Sequence, residues 1–240
     1  MFEPYLTTIE DFDIKMLIVN ERAKIWYDKP DSAWITELQW TVDNVDLGPG
    51  RVVIDGGCHY GLYTIVYASQ GSKVVSIDVH QPNLDMAYVN TVLNRVPASF
   101  LHAAIAPEDG YTFYNGENLG TIVGERKVRV PCYRLPTLRD KLGKVDVVKL
   151  DIEGAEYSVL PDCIDEMPEV DTWIVEFHPF EFKDRSVGEM ISENLQLFID
   201  RGFELNWIDR SLGEKGKVVP YPMQSEWRKQ STVIALKGKK

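Results

Sequence analysis

The sequence predicts an α/β fold built around a mostly parallel sheet with helices on both faces. From residue 50 onward, short runs rich in valine and isoleucine alternate with segments in which apolar residues recur at helical spacing. This alternation is typical of strand–helix units, whose strands lie parallel in one sheet. The last two β-rich runs follow each other without a full helix between them, so we expect them to form an antiparallel pair at one sheet edge.

The first half of the predicted core contains three strands that two helices separate. Gly71 ends the first helix, and Asn83 caps the second. In chain order the segments are the strand "GRVVIDGG", the helix "GLYTIVYASQG", the strand "SKVVSIDV", the helix "NLDMAYVNTVLNR" and the strand "ASFLHAAIA".

The second half adds two strands, a helix that ends at Gly202, and two final strands. In chain order these segments are the strands "VDVVKLDIEG" and "TWIVEFHP", the helix "GEMISENLQLFIDRG", and the strands "FELNWIDR" and "STVIALKG".

Two further segments precede or interrupt this core. Residues 1–48 contain mostly helical patterns, so we expect a helical extension before a core at 49–240. Residues 110–134 suggest an antiparallel ribbon around a polar turn, either an insertion near the substrate mouth or an edge hairpin. The same ribbon is a candidate homodimer contact. At 240 residues, the simplest organisation is one domain over 1–240.

Composition and charge argue against several functional classes. The net charge of −11 is unlike that of a protein that binds nucleic acid through a basic face. No apolar run approaches the roughly 18 to 20 residues that span a bilayer, and the first residues lack the apolar region of a signal peptide. The three cysteines are widely spaced and form no CxxC, which predicts a cytoplasmic protein without a zinc framework.

Acidic residues lie at the ends of four predicted strands. The first two ends carry Asp55 and Asp78, the third carries Asp151 and Glu153, and the fourth carries Glu176, which His178 follows closely. In an open parallel sheet, ligands bind beyond the carboxyl ends of the strands, where the strand order reverses. Aspartate is common in strand–helix turns for structural reasons alone. Four such ends at one edge nevertheless predict a binding site.

The glycine loop after the first strand favours a cationic ligand. Glycine permits a positive φ and a close approach of the main chain to a ligand. A carboxylate at Asp55 would repel the pyrophosphate that dinucleotide loops bind, but it suits an ammonium group. Asp78 follows after 23 residues, a spacing that suits hydrogen bonds to a ribose diol. A cationic amino-acid end plus a ribose describes S-adenosylmethionine.

Two sets of motifs carry a family resemblance. Asp55-x-Gly57-x-x-x-Gly61 resembles the first motif of class I S-adenosylmethionine-dependent methyltransferases. The segments "YRLPTLRDKLGKVDVVKLDIEGAEYSVL" and "TWIVEFH" are similar to consecutive segments of the FkbM family, and the resemblance covers roughly residues 35 to 205. It implies a Rossmann-like methyltransferase fold with a seven-stranded sheet and an antiparallel last strand.

The resemblance also implies a set of cofactor-binding residues. Asp55 and the two motif glycines would lie beside the methionine part, Asp78 would hold the ribose, and the end of the third strand would border the adenine. The chain departs from the family at Cys58-His59 and at Ile77-Asp78-Val79, where Ala-Asn and Phe-Glu-Pro are usual. The implied residues are Glu37, Asp55, Gly56, Gly57, Cys58, Gly61, Thr64, Asp78, Val79, Ala104 and Asp151.

Methyl transfer to a hydroxyl group needs a base that takes the proton as the C–O bond forms. Asp151, Glu153 and His178 are the candidate catalytic residues, whereas Glu156 suits a structural contact with the start of a helix. Asp151, Glu153 and His178, together with Glu176, are alternatively donors for a hard divalent ion. Their spacing matches no recognised metal motif, so no metal ligand is assigned.

The leading hypothesis is a methyltransferase that uses S-adenosylmethionine and acts on a hydroxyl oxygen of a small molecule or a glycan. A nicotinamide-dependent oxidoreductase is the first alternative, but "GGCHYG" does not supply its GxGxxG loop. A non-catalytic module that binds S-adenosylmethionine is the second, and the unusual Cys58-His59 pair leaves it open.

Overall fold

The computed structural model describes residues 2–28, 32–115, 127–178, 186–209, 217–220 and 231–237. Its helices are α1 (Glu21–Tyr27), α2 (Ser32–Asn44), α3 (Leu62–Ser69), α4 (Gln81–Leu93), α5 (Leu135–Leu142), α6 (Glu156–Cys163) and α7 (Val187–Asp200). Its strands are β1 (Tyr5–Ile9), β2 (Ile14–Ile18), β3 (Val52–Gly56), β4 (Lys73–Asp78), β5 (Ser99–His102), β6 (Ala104–Ile105), β7 (Gly110–Asn115), β8 (Lys127–Tyr133), β9 (Val147–Leu150), β10 (Thr172–Phe177), β11 (Phe203–Asp209), β12 (Lys217–Pro220) and β13 (Ser231–Lys237).

The main sheet confirms the predicted mostly parallel architecture. Its strand order is β12-β11-β13-β10-β9-β3-β4-β5. Strands β10, β9, β3, β4 and β5 pair in parallel, and β13 lies antiparallel between β10 and β11. The expected seven strands are present, and the short β12 adds an eighth at the edge. The strand order reverses at β3, because β4 follows it on one side and β9 on the other.

Apolar layers cover both faces of this sheet, as the sequence predicts. Alternate residues of β3 point to opposite faces, so that Val53 packs in one cluster with α1, α2 and α3 and Ile54 packs in another with α5, α6 and α7. Trp173, Phe177 and Phe198, all with 0% exposure, contribute large buried rings to the second cluster. The core therefore holds the strand ends of the parallel part in fixed register.

The prediction of a helical segment at 1–48 is wrong for its first part. Strands β1 and β2 form an antiparallel hairpin around a turn of 3-10 helix at Glu10–Phe12. The reason lies in β2, where Ile14, Met16 and Ile18 are buried and alternate with less buried residues, which is a strand pattern of period two. Helices α1 and α2 follow as expected.

The ribbon predicted at 110–134 is present as an antiparallel pair of β7 and β8, which joins β6 in a separate three-stranded sheet. The turn at 116–126 lies outside the described residues. The proposed cap of α4 needs correction, since the helix begins at Gln81 and His80 precedes it. Asn83 lies inside the first turn, where its side chain donates to Asp78. Within the described ranges, no helix has the length and apolar character needed to span a bilayer.

Candidate active site

A cavity of about 700 Å³ opens at the carboxyl ends of the parallel strands. Its wall combines the turns after β3, β4, β9 and β10 with helices α1 and α2 and with the β7 strand of the ribbon. This is the edge at which an open α/β sheet binds ligands. The predicted residues in the wall are Glu37, Gly57, Cys58, Asp78, Val79, Ala104, Asp151, Glu153 and His178.

The glycine loop is pressed against the end of β9. Gly57 has a φ of +77°, and a Cβ atom added there would lie 1.7 Å from the carbonyl oxygen of Asp151. The Gly57 N–H donates to the carbonyl of Ile77 at 2.8 Å, which ties the loop to β4 as well. No residue with a side chain fits this contact, so the loop and Asp151 form one continuous wall.

Asp55 lies behind this wall rather than in it. Its carboxylate has 0% exposure, accepts a 2.6 Å hydrogen bond from Thr64 Oγ1 and lies 4.0 Å from Lys149 Nζ. Asp55 and Lys149 are register partners in β3 and β9, so their side chains point to the same face. Gly56, Gly61 and Thr64 are also absent from the wall. These four predicted cofactor residues therefore support the loop from behind, and direct contact with a ligand stays a prediction.

Asp78 faces the cavity from the end of β4. Its carboxylate accepts from the main-chain N–H of His80 at 2.8 Å and of His59 at 3.0 Å, and also from the amide of Asn83. Burial raises the pKa of Asp78 although these hydrogen bonds oppose the shift. His102, at the end of β5, contacts the carbonyl of Val79 at 2.9 Å. The predicted ribose and adenine positions thus lie side by side.

A group of buried charges forms the floor of the cavity. Glu37 is 2% exposed, and within the described residues its Oε1 has no hydrogen-bond partner. Burial raises the pKa of Glu37 to about 7. Burial and then the charge of Asp151 raise the pKa of Glu176 to about 8. Burial alone would lower the pKa of Lys149, but Asp151 and Asp55 outweigh it and raise the pKa. Lys149 therefore stays charged among several carboxyl groups.

The three predicted catalytic residues are brought together. His178 Nε2 lies 3.6 Å from Asp151 Oδ1 and 3.7 Å from Glu153 Oε2. Asp151 Oδ2 also accepts a 3.3 Å hydrogen bond from Lys149 Nζ. Burial would lower the pKa of His178, but its hydrogen bond with Glu156 and the neighbouring carboxylates raise it to about 9. All three side chains reach the cavity wall, so together they form one cluster.

Glu156 fixes this cluster from behind, in agreement with the structural role that the sequence suggests. Its carboxylate accepts from the main-chain N–H groups of Ile152 and Gly154 at 2.8 and 2.7 Å. The intervening Glu153 has a φ of +53°, which is unusual for a residue other than glycine. Glu156 Oε1 also lies 3.3 Å from His178 Nδ1. One buried carboxylate thus holds both the turn after β9 and the imidazole.

Sequence reasoning missed a contact between Tyr27 and His59. The Tyr27 hydroxyl lies 2.6 Å from His59 Nδ1, and the two rings stack with centroids 5.6 Å apart. Burial lowers the pKa of His59 to about 4. The only signal in the sequence is the departure at Cys58-His59, because Tyr27 comes from a distant helix. The unusual histidine is therefore a partner of the N-terminal segment.

Comparison with solved structures supports the fold. A SAM-dependent methyltransferase from Agrobacterium tumefaciens shares 14% identity at a TM-score of 0.54, over 100% of this chain and 71% of that chain. A Pyrococcus abyssi tRNA (uracil-54, C5)-methyltransferase, solved with S-adenosyl-L-homocysteine, shares 14% identity at a TM-score of 0.53, over 98% of this chain and 44% of that chain. At these identities the likeness establishes the fold alone.

Comparison with models of protein families assigns the chain to the family that its motifs resemble. The model of the methyltransferase FkbM domain matches residues 60–205, which is more than half of the chain. No curated protein matches the sequence. The family match covers the turn after β9 and the strand that carries His178, and it favours a methyltransferase over the nicotinamide alternative. The chain belongs to the FkbM family of S-adenosylmethionine-dependent methyltransferases.

Proposed function

We propose that this protein transfers a methyl group to a hydroxyl oxygen of a small molecule or a carbohydrate. The observation that carries the proposal is the cluster of Asp151, Glu153 and His178, which opens on the same cavity as the glycine loop. A hydroxyl group must lose its proton as the new C–O bond forms. A wall that joins the loop to carboxylate and imidazole groups suits this requirement.

The residues around the loop fit S-adenosylmethionine. Gly57 lets the loop pack against the Asp151 carbonyl, so that its main chain lines the cavity beside the cluster. Glu37 Oε1, which has no hydrogen-bond partner among the described residues, suits an ammonium group, and the carboxylate of Asp78 suits ribose hydroxyls. When bound, the cofactor supplies an electrophilic methyl group.

The cluster supplies what the acceptor needs. Its carboxylates accept a hydrogen bond from the hydroxyl group and take up its proton, while His178 holds the acceptor oxygen in position. Lys149 keeps Asp151 ionised and oriented through their hydrogen bond. Glu156 keeps the imidazole ring in place. These residues act only on an acceptor that reaches the floor of the cavity.

An aromatic wall supports an acceptor with a ring. Trp26, Tyr27 and Trp34 come from α1 and α2, and Phe113 and Tyr114 come from the ribbon. Aromatic faces pack well against sugar rings and planar groups. The net charge of −11 disfavours polyanionic acceptors. We therefore expect a neutral or cationic acceptor that carries a hydroxyl group on a ring.

Calorimetry with S-adenosylhomocysteine tests cofactor binding first. We expect the wild-type chain to bind at micromolar concentration, and we expect Asp78→Ala to weaken binding at least tenfold because the ribose loses its acceptors. Asp85→Asn is the matched control, since this exposed carboxylate of α4 pairs only with Gln81 among the described residues. A folded wild-type chain that does not bind at millimolar ligand contradicts the proposal.

A turnover assay then tests the acceptor. Production of S-adenosylhomocysteine is measured with glycosides, phenols and amines of similar size. We expect turnover with hydroxylated rings and none with amines alone. Turnover of an amine, with none of any hydroxyl compound, would disprove oxygen methylation and leave the methyltransferase activity intact.

A further inference from the structure

We propose that Asp151, Glu153 and His178 form a binding site for a divalent metal ion. Asp151 Oδ1, Glu153 Oε2 and His178 Nε2 are the donor atoms that face one another. One ligand atom from each of the three residues lies within 4.8 Å of the others. All three residues line the cavity, so the remaining coordination positions open toward a substrate.

The separations fit atoms that share an ion better than atoms that share a proton. His178 Nε2 lies 3.6 and 3.7 Å from the two carboxylate oxygens, beyond the range of a good N–H···O hydrogen bond. Two ligands that each lie about 2.1 Å from a metal are separated by about 3.4 Å at the tetrahedral angle. A cation placed between the three side chains therefore needs only small side-chain rotations.

The histidine is held in the way that metal-bound histidines usually are. Metal-ligating imidazoles donate their second ring N–H to a carboxylate or carbonyl, which fixes the ring and raises its basicity. Here Glu156 Oε1 lies 3.3 Å from His178 Nδ1, and Glu156 is itself anchored by the N–H groups of Ile152 and Gly154. The Tyr157 hydroxyl also donates to the His178 carbonyl at 2.8 Å. These contacts direct Nε2 toward the two carboxylates.

The local charge also favours a cation. Lys149 contacts Asp151 through Oδ2, while Oδ1 of the same carboxylate faces His178. Glu153 and Glu156 add two further carboxylates within the same turn. Lys149 and the imidazole offset part of this negative charge, and a divalent ion that displaces the proton from His178 Nε2 would take the place of that positive charge in a partly buried position.

The donor set indicates which ions suit the site. One imidazole nitrogen and two carboxylates suit the borderline ion Zn²⁺, and the harder Mn²⁺ also accepts this mixed donor set, whereas Ca²⁺ and Mg²⁺ prefer oxygen ligands throughout. The role of the ion rests on the proposed function: with the ion bound, the three side chains act as its ligands rather than as the base, and a hydroxyl oxygen bound to it would be positioned for methylation and would lose its proton more readily to solvent. Binding of the ion does not depend on that function.

Titration of the full metal-free chain with Mn²⁺, followed by electron paramagnetic resonance of the free ion, tests the site. We expect one Mn²⁺ per chain, and a loss of affinity of at least tenfold for Asp151→Asn, Glu153→Gln and His178→Asn. Glu153→Gln is the substitution least expected to disturb folding, because Glu153 is partly exposed and glutamine has nearly the same size. Asp85→Asn, which removes an exposed carboxylate of α4 that does not line the cavity, should bind as the wild type does.

Two results would overturn the inference. One is a folded wild-type chain that binds no Mn²⁺ at millimolar concentration, and the other is binding that none of the three substitutions weakens. Calorimetry with S-adenosylhomocysteine on the same samples separates this from the proposed function. Cofactor binding without Mn²⁺ binding rejects the metal site alone, and Mn²⁺ binding without cofactor binding rejects the methyltransferase function alone.

Discussion

At the end of β3, the main chain of Gly57 touches the main chain of Asp151, and this contact determines what the loop can contain. The positive φ alone favours glycine. The absence of a Cβ atom matters more, because a Cβ at this position would collide with a main-chain carbonyl oxygen rather than with a movable side chain. Neighbouring Asp55 shows the opposite case. Its charge is conspicuous in the sequence, yet its side chain is fully buried against Thr64 and Lys149.

Replacing Gly57 with alanine should therefore reduce both stability and cofactor binding. We expect a loss of roughly 3 kcal/mol or more in the free energy of unfolding, since β3 and β9 must move apart. Chemical denaturation and calorimetry with S-adenosylhomocysteine measure the two effects. Gly143→Ala is the matched control: Gly143 has a φ of +83°, but among the described residues no atom lies within 4 Å of the added Cβ. It should cost about 1 kcal/mol, and equal costs at both sites would refute the steric explanation.

His59 should make the fold sensitive to acid. Burial is the main reason that the pKa of His59 is lowered to about 4. The charge of Asp151 opposes this shift, whereas Arg22, His80 and Lys149 add to it. Below the unfolded value of about 6.5, the unfolded chain binds a proton that the folded chain does not, so stability falls as the pH falls from about 6.5 toward 4.

His59→Gln removes this titratable group. The free energy of unfolding should therefore fall by about 2 kcal/mol less than in the wild type between pH 7 and 4.5. Denaturation of the wild type and the variant at several pH values measures the difference between them, which isolates His59 from the carboxylates. Parallel stability curves for the two proteins would contradict the assignment.

At the scale of elements, the N-terminal hairpin is attached to the core through Asn90 in α4 and through Asn94, which follows this helix. Asn90 accepts from the Leu17 N–H at 2.8 Å and donates to the Tyr60 carbonyl at 3.0 Å. It thereby joins β2 to the glycine loop. The hairpin was not predicted because helical patterns further along the N-terminal segment dominate it, while the β7–β8 ribbon was predicted from its polar turn. The sequence therefore predicts the residue pattern within a strand or helix better than it predicts which other element that strand or helix packs against.

Asn90→Ala should destabilise the protein by about 2 kcal/mol, because it leaves a main-chain donor and a main-chain acceptor without their partners at a site with 0% exposure. Asn94→Ala is the matched control, since Asn94 makes the same kind of contact with the Lys15 main chain at an exposed position. It should cost less than about 1 kcal/mol, because water replaces the lost contacts. Thermal unfolding measures both. A ranking in the reverse order would contradict the argument.

At the scale of the whole molecule, the topology brings the functional residues together. The reversal of strand order at β3 places the ends of β4 and β9 on either side of the glycine loop. The N-terminal helices then cover the cavity with Tyr27, Trp34 and Glu37. The organisation of residues 1–240 as one domain stays a proposal, supported by the contribution of both the N-terminal segment and the sheet to one apolar cluster.

The sequence by itself determined the fold class, the parallel strands, the antiparallel last strand and the family. These follow from local periodicity and from short motifs, which depend on residues that are close in the chain. It also placed Asp78, Asp151, Glu153 and His178 at strand ends, and those ends meet in one cavity.

Only the tertiary structure decided which of these side chains face the cavity and which lie behind it. Asp55 turns toward Thr64 and Lys149, whereas Tyr27 approaches His59 from a helix that precedes the sheet. The orientation of a side chain at a strand end depends on the pleat and on the neighbouring strand. Because both are set by residues that are distant in sequence, no local pattern in "VVIDGGCHYGLYT" distinguishes the supporting residues from those that line the site.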